Sequence, residues 1–290
     1  MSINICKGDL LSTSSNKKNA SSCLSSLFIG GTAGAVSRTL TAPLELYKLQ
    51  RQNPYIKHTT LREVFQLEGI PGLWKGNLAN IYRIFPQMSI SYCIYNSVKT
   101  TKYIKSLYNY NPDLGHLVSG TLGGLVATTC VYPLETIRSR LSLQTNNEHY
   151  TGIRDTFRKM SYRDLYRGLS VGLLGFVPFN ALNFMFYHRS KLDLQGVLQP
   201  GVVTHMICGG LAGVCSVSIT YPTDVIRRRL HLQGFDNVVP YFSSIPDCIA
   251  YIYKTEGVRG FYRGLFACYL KLFPAVGIQF TTVEYLRGLL

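Results

Sequence analysis

Three copies of one short pattern hold most of the charge with which this chain could do chemistry. Pro-x-acid-x-x-base reads Pro43, Glu45, Lys48, then Pro133, Glu135, Arg138, then Pro222, Asp224, Arg227. If each copy sits on a helix just past a proline kink, each acid meets the base of the next helix, and three such pairs plug one end of a threefold pore. The conspicuous charges within apolar stretches are Arg38, Arg83 and Lys271, all positive. Arg83 and Lys271 stand three residues before Pro86 and Pro274, and the third equivalent is Gly175, before Pro178. Arg38 lies five residues before Pro43. Cations placed there without nearby acids call for an anion, and guanidinium forks fit phosphate oxygens bidentately. Gly175 removes bulk beside Phe176, with Phe179 about one turn on, a niche that would stack a flat base by its π-face.

The elements that must position these groups follow from internal repetition. The three prolines of the pattern are 90 and 89 residues apart. Nine residues before each stands Gly34, Gly124 or Gly213, and four before that Gly30, Gly120 or Gly209. Trp74-Lys75-Gly76, Tyr166-Arg167-Gly168 and Tyr262-Arg263-Gly264 recur later in each unit. The chain therefore divides into a polar lead at 1–20 and three units, 21–110, 111–198 and 199–290.

Each unit holds two apolar stretches, at 23–51 and 78–102, 114–143 and 170–194, and 201–231 and 265–288. About 20 helical residues cross a bilayer core of roughly 30 Å. The expected fold is an all-α membrane protein of six transmembrane helices in three pseudo-threefold repeats. Prolines within spans are tolerated where neighbouring helices satisfy the freed carbonyls, and small residues at GxxxG spacing let backbones approach. Between the spans of a unit, stretches such as 59–69 and 244–257 read as short amphipathic surface helices.

Composition excludes several classes. Charged residues make up 16%, where a soluble domain carries about 25%. The net charge of +15 would suit a polyanion, but the bases are spread over helix ends and loops and six apolar runs need lipid, so nucleic acid is not an expected partner. Eight cysteines without a CxxC pair read as reduced, buried small hydrophobes. With no phosphate loop, no paired catalytic carboxylates and no metal-ligand cluster among six histidines, no enzyme activity, metal or cofactor is expected. Residues 1–20 lack the pattern of a secretory signal.

These motifs resemble the mitochondrial carrier family over residues 21–290. The resemblance implies a monomeric transporter of the mitochondrial inner membrane, both termini toward the intermembrane space, with one central site and alternating access. It assigns the matrix gate to Glu45 with Arg138, Glu135 with Arg227 and Asp224 with Lys48. Gln52 is similar to the family's glutamine brace, whereas the matching Ser142 and His231 are not, so a single brace is expected. Substrate contacts carry over onto Arg83, Gly175-Phe176 and Lys271. RTLTAPLE, YRIFP, LGFVP and YLKLFPAVGIQF look like carriers of ATP-Mg/phosphate, coenzyme A and plant adenine nucleotides, so a phosphorylated anion is the expected cargo, with thiamine pyrophosphate or deoxynucleotides as the alternative.

The opposite, cytoplasmic gate departs from the family's aromatic-acid-x-x-base. It reads Tyr95-Asn96-x-x-Lys99, Tyr187-His188-x-x-Lys191 and Val283-Glu284-x-x-Arg287, so only Glu284 can pair strongly, with Lys99. Weak closure there implies a resting state open to the cytosol. The resemblance also implies cardiolipin at the amide-rich starts near Gly76, Gly168 and Gly264, with Tyr150-Thr151-Gly152 completing one site.

Overall fold

The computed structural model describes residues 15–54, 60–144, 149–194, 202–234 and 240–289, so the first 14 residues of the polar lead lie outside it. Twelve helices and no strand occur among the described residues. In the first repeat, α1 (Ser15–Leu40) is followed by α2 (Ala42–Gln52), α3 (Leu61–Gly72) and α4 (Asn77–Lys99). Next come α5 (Lys102–Tyr110) and the second repeat's α6 (Pro112–Leu143), α7 (Ile153–Lys159), α8 (Tyr162–Leu165) and α9 (Leu169–Leu194). The third repeat has α10 (Val202–His231), α11 (Ile245–Glu256), a 3-10 turn at Val258–Tyr262 and α12 (Leu265–Leu289).

Contacts run from α1 to α4, α4 to α6, α6 to α9, α9 to α10, α10 to α12 and α12 back to α1. Six long rods thus close on themselves as a ring. Among the described residues α6, α9, α10 and α12 are long and apolar enough to cross a membrane, whereas α4 carries Asn77, Asn80, Arg83, Gln87 and Lys99 and is less apolar. The span expected at 23–51 is two helices, because the chain turns at Thr41 before Pro43 enters the first turn of α2. Pro133 and Pro222 instead lie inside unbroken α6 and α10. The span expected to reach 102 ends at Lys99, and α5 is a separate helix against α6.

The surface elements are less uniform than the repeat suggests. Thr60 accepts the Glu63 N–H and Ser244 the Asp247 N–H, capping α3 and α11. The second repeat splits the element into α7 and α8, with Met160 and Ser161 in extended backbone between them. α11 docks by its apolar stripe: Cys248 and Ile252 bury against Val171, Ile226 and Leu230. The cysteine expectation needs correction, since of the six cysteines described only Cys208 and Cys248 are buried, while Cys93, Cys130 and Cys215 are exposed on the bundle. All six are free, and burial pushes the Cys248 thiol up to about 12.

Candidate functional site

At one end of the bundle the three acid–base pairs meet. Lys48 Nζ lies 2.7 Å from Asp224 Oδ2 and Arg138 Nη2 lies 3.2 Å from Glu45 Oε1, while Arg227 Nη2 bonds Glu135 Oε2. The helix that carries each base is thereby tied to a helix of another repeat, and the ring is sealed: the side chains of Glu45 and Glu135 are 7% and 6% exposed. The aromatic-basic-glycine motifs make this closeness possible. Gly76, Gly168 and Gly264 all have left-handed φ, +76°, +81° and +82°. A Cβ on them would lie 2.9, 3.2 and 3.3 Å from the backbone carbonyls of Arg138, Arg227 and Lys48, the three ring bases. Only glycine meets both demands. Gly152, by contrast, is extended at φ 170° with open space around it.

Arg83 and Lys271, expected to await an anion, are not vacant. Arg83 Nη1 is 2.9 Å from Glu135 Oε2, and Lys271 Nζ bonds Glu45 Oε2. The ring carboxylates thus have more partners than the pairing pattern supplies. Arg38 donates to the Asn80 side-chain oxygen at 3.1 Å and to its carbonyl at 3.3 Å, close to Arg83 and Arg138. Sequence reasoning missed Arg228. Its guanidinium reaches Glu135 at 3.3 Å, Asp224 at 3.7 Å and the Ser139 hydroxyl at 3.0 Å. The signal available was the run Arg227-Arg228-Arg229, whose middle member faces the ring. Seven bases, Arg38, Lys48, Arg83, Arg138, Arg227, Arg228 and Lys271, therefore surround three carboxylates, leaving four positive charges in excess among the described residues.

The three positions compared for a brace have different partners. Gln52 Nε2 donates to the Tyr221 hydroxyl at 3.0 Å and to Asp224 Oδ2 at 3.1 Å, beneath the Lys48–Asp224 pair. His231, the matching residue of repeat three, lies with Nε2 2.7 Å from the Tyr132 hydroxyl. Both tyrosines pass their own proton to a motif carbonyl, Tyr221 to Arg263 and Tyr132 to Arg167, each at 3.1 Å. Their oxygens are left to accept, so Nε2 of His231 carries the hydrogen, as Gln52 does. Ser142, the third match, reaches the Lys75 carbonyl directly at 3.0 Å.

The niche at Gly175 is filled. A Cβ there would lie 2.3 Å from Thr223 Oγ1, so the glycine exists for close approach of α9 to α10. Phe176 likewise sits where a Cβ on Gly124 would be, 2.5 Å from its ring, and Phe179 is half-buried on the same helix. Gly175→Ala is expected to destabilise the fold by about 1–3 kcal/mol through overpacking, read as a lower apparent melting temperature that Thr223→Ala partly restores. An unchanged melting temperature would mean that the two helices separate freely there.

At the other end no ring of ion pairs occurs among the described residues. Glu284, Lys99 and Arg287 are exposed and Lys191 is half-buried, with no ion pair between Glu284 and Lys99 among the described residues. Lys99 instead lies 5.4 Å from the centre of the Tyr108 ring on α5.

Similarity to known proteins accords with this geometry. The family model described as mitochondrial carrier protein matches three times, at residues 19–106, 111–197 and 199–290. Solute carrier family 25 member 16 of Mus musculus is 34% identical over 295 residues, covering 91% of this chain and 87% of that protein. The mitochondrial adenine nucleotide transporter ADNT1 of Arabidopsis thaliana is 33% identical over 304 residues, 91% of this chain and 86% of that one. The mitochondrial coenzyme A transporter SLC25A42 of Xenopus tropicalis is 34% identical over 295 residues, 96% and 89% of the two chains. With three matched repeats, a closed six-helix ring and a sealed ring of acid–base pairs, this chain belongs to the mitochondrial carrier family.

Proposed function

We propose that this carrier exchanges nucleotide-like phosphorylated anions, adenine nucleotides or coenzyme A, across the mitochondrial inner membrane by alternating access. The observation that carries the reading is the surplus of four positive charges around the gate, in spans where an unpaired cation is expensive. Phosphates supply the missing negative charge and the bidentate acceptors that guanidinium groups fit. The names of the adenine nucleotide and coenzyme A relatives point the same way.

The pairing of Arg83 with Glu135 and of Lys271 with Glu45 suggests how cargo and gate communicate. An anion that captures these two cations, together with Arg38, takes them off the ring carboxylates and leaves each held by fewer bases. The gate then opens only if the anion binds the open state more tightly than the closed one. The sealed ring is the matrix gate in this reading. Lys99, Lys191, Glu284 and Arg287 form the cytoplasmic one, which stands open, with both termini in the intermembrane space and the monomer as the working unit. With the niche at Gly175 filled by Thr223, Phe176 and Phe179 on the same helix are the side on which a base would rest.

Anionic lipid at the matrix face belongs to the same proposal. A groove of about 590 Å³ between α4, α6 and α7 is lined by Tyr82, Leu134, Ile137 and Phe157 with Arg154 and Arg158, next to Gly152. Its apolar walls and two guanidinium groups suit one cardiolipin, and further lipid is expected at the starts near Gly76, Gly168 and Gly264.

Liposomes bearing the purified carrier test the proposal. Uptake of labelled ADP or coenzyme A is expected only when the vesicles are preloaded with one of these anions. Uptake into empty vesicles would indicate a leak. Exchange of thiamine pyrophosphate or deoxynucleotides but of neither proposed anion would replace the cargo.

A further inference from the structure

Helix α9 carries two carboxamides in its apolar run, Asn180 and Asn183, which neither the acid–base ring nor the cations near it employ. The exposed residues of that helix, Leu174, Val177, Pro178, Ala181 and Met185, fall within one stripe at about 100° per residue, and this stripe faces lipid. Asn183 lies almost opposite the stripe and is therefore directed at the centre of the six-helix ring, with half-buried Phe176 and Phe179 within about 40° of it. Asn180 stands at the flank of the same face. Contacts agree with this orientation: Phe176 lies against Gly124 of α6 and Gly175 against Thr223 of α10, so the two neighbours of α9 border its inward side.

A carboxamide within a span is costly and usually binds a neighbouring helix. These two do not. Asn183 makes no hydrogen bond among the described residues, and Asn180 bonds only within its own helix, its Nδ2 donating to the Phe176 carbonyl at 2.8 Å. That bond fixes the polarity of the Asn180 amide, because an oxygen turned toward the carbonyl would be repelled; Oδ1 is left to accept from a donor outside the helix. Depth fits as well. Gly175 is the repeat equivalent of Arg83 and Lys271, and Asn183 stands eight residues further on, about 12 Å along the axis and away from the acid–base ring. A ribose and a diphosphate bridge that interval between phosphates on the cations and a base stacked at Phe179.

We propose that Asn180 and Asn183 read the edge of the cargo's base and select adenine. Adenine sets a donor at N6 beside an acceptor at N1. Asn180 Oδ1 accepts from the N6 amino group while the Asn183 amide, free to turn, donates to N1. Hypoxanthine has nearly the same outline but carries a carbonyl at C6 and a hydrogen on N1. It places an acceptor against Asn180 Oδ1, whose amide cannot turn without giving up the Phe176 carbonyl. The inference rests on the proposed exchange of an adenine-bearing anion and names the side chains that recognise the adenine.

The test sets ADP against IDP, which differ only at that edge, as competitors of exchange in liposomes, with labelled ADP or coenzyme A as reporter according to which is exchanged. In the unaltered carrier ADP is expected to compete about tenfold better or more, the size of a lost pair of base contacts. Asn180→Leu and Asn183→Leu keep most of the volume and remove the amide, so each should bring the ADP-to-IDP ratio toward one, Asn180→Leu furthest. Pyrophosphate, which has no base, should compete equally against all three proteins. Equal competition by ADP and IDP in the unaltered carrier, or an unchanged ratio in both variants, would overturn the proposal. So would a common loss of ADP, IDP and pyrophosphate in both variants, which would make the amides structural. If neither ADP nor coenzyme A is exchanged by the unaltered carrier, the cargo reading itself fails and the recognition of adenine falls with it.

Discussion

Arg83→Ala and Lys271→Ala carriers are each expected to insert, fold and lose exchange. Each side chain is one of several partners of its carboxylate: Glu135 keeps Arg227 and Arg228 when Arg83 is removed, and Glu45 keeps Arg138 when Lys271 is removed. The ring therefore stays shut and the melting temperature falls little. Binding suffers far more, because truncating one partner of a buried charged hydrogen bond removes about 2–5 kcal/mol, which is from about thirtyfold to a few thousandfold in affinity. The measurement is exchange in liposomes alongside thermal stability of the same preparations. Arg83→Lys should recover part of the rate, since an ammonium keeps the charge and loses the bidentate fork. Normal exchange by Arg83→Ala would remove this residue from the cargo site.

Glu135→Gln should be the most damaging of the isosteric changes to the ring. Three arginines converge on this carboxylate, Arg83 at 2.9 Å, Arg228 at 3.3 Å and Arg227, and its side chain is 6% exposed. Removing the charge leaves all three guanidinium groups without a common anion, and breaking a buried pair by taking one partner away costs about 3–5 kcal/mol. Asp224→Asn should cost less, because Asp224 is 27% exposed and water screens what remains. Apparent melting temperatures of the two variants in detergent, with Glu45→Gln between them, decide the order. A larger drop for Asp224→Asn would mean that Glu135 is not the hub of the gate.

How much of this was legible beforehand differs from residue to residue. The pairs Glu45–Arg138, Glu135–Arg227 and Asp224–Lys48 could be named from spacing and family likeness, because a threefold repeat dictates which neighbours face each other. The additional pairing of Arg83 and Lys271 could not, since it depends on how far α4 and α12 lean toward the ring. Gly175 looked like an opening because a missing side chain leaves room only if nothing else moves in, and Thr223 does. His231 looked unlike a brace by type. Tyr132, standing immediately before Pro133, nevertheless gives it a hydroxyl to hold.

From the order of its amino acids alone come the three units, the apolar stretches and the sign of the charge at the centre. These are local or periodic properties: a proline, a glycine at left-handed φ or a basic side chain in an apolar run has the same cost wherever the helix ends up. Only the tertiary structure decided that Arg83 and Lys271 lie on the ring carboxylates, that Arg228 joins them, and that the three acid–base pairs have different neighbours. Those outcomes depend on differences of an ångström or so between helices brought together from distant parts of the chain, a scale at which one motif repeated three times no longer means three equal contacts.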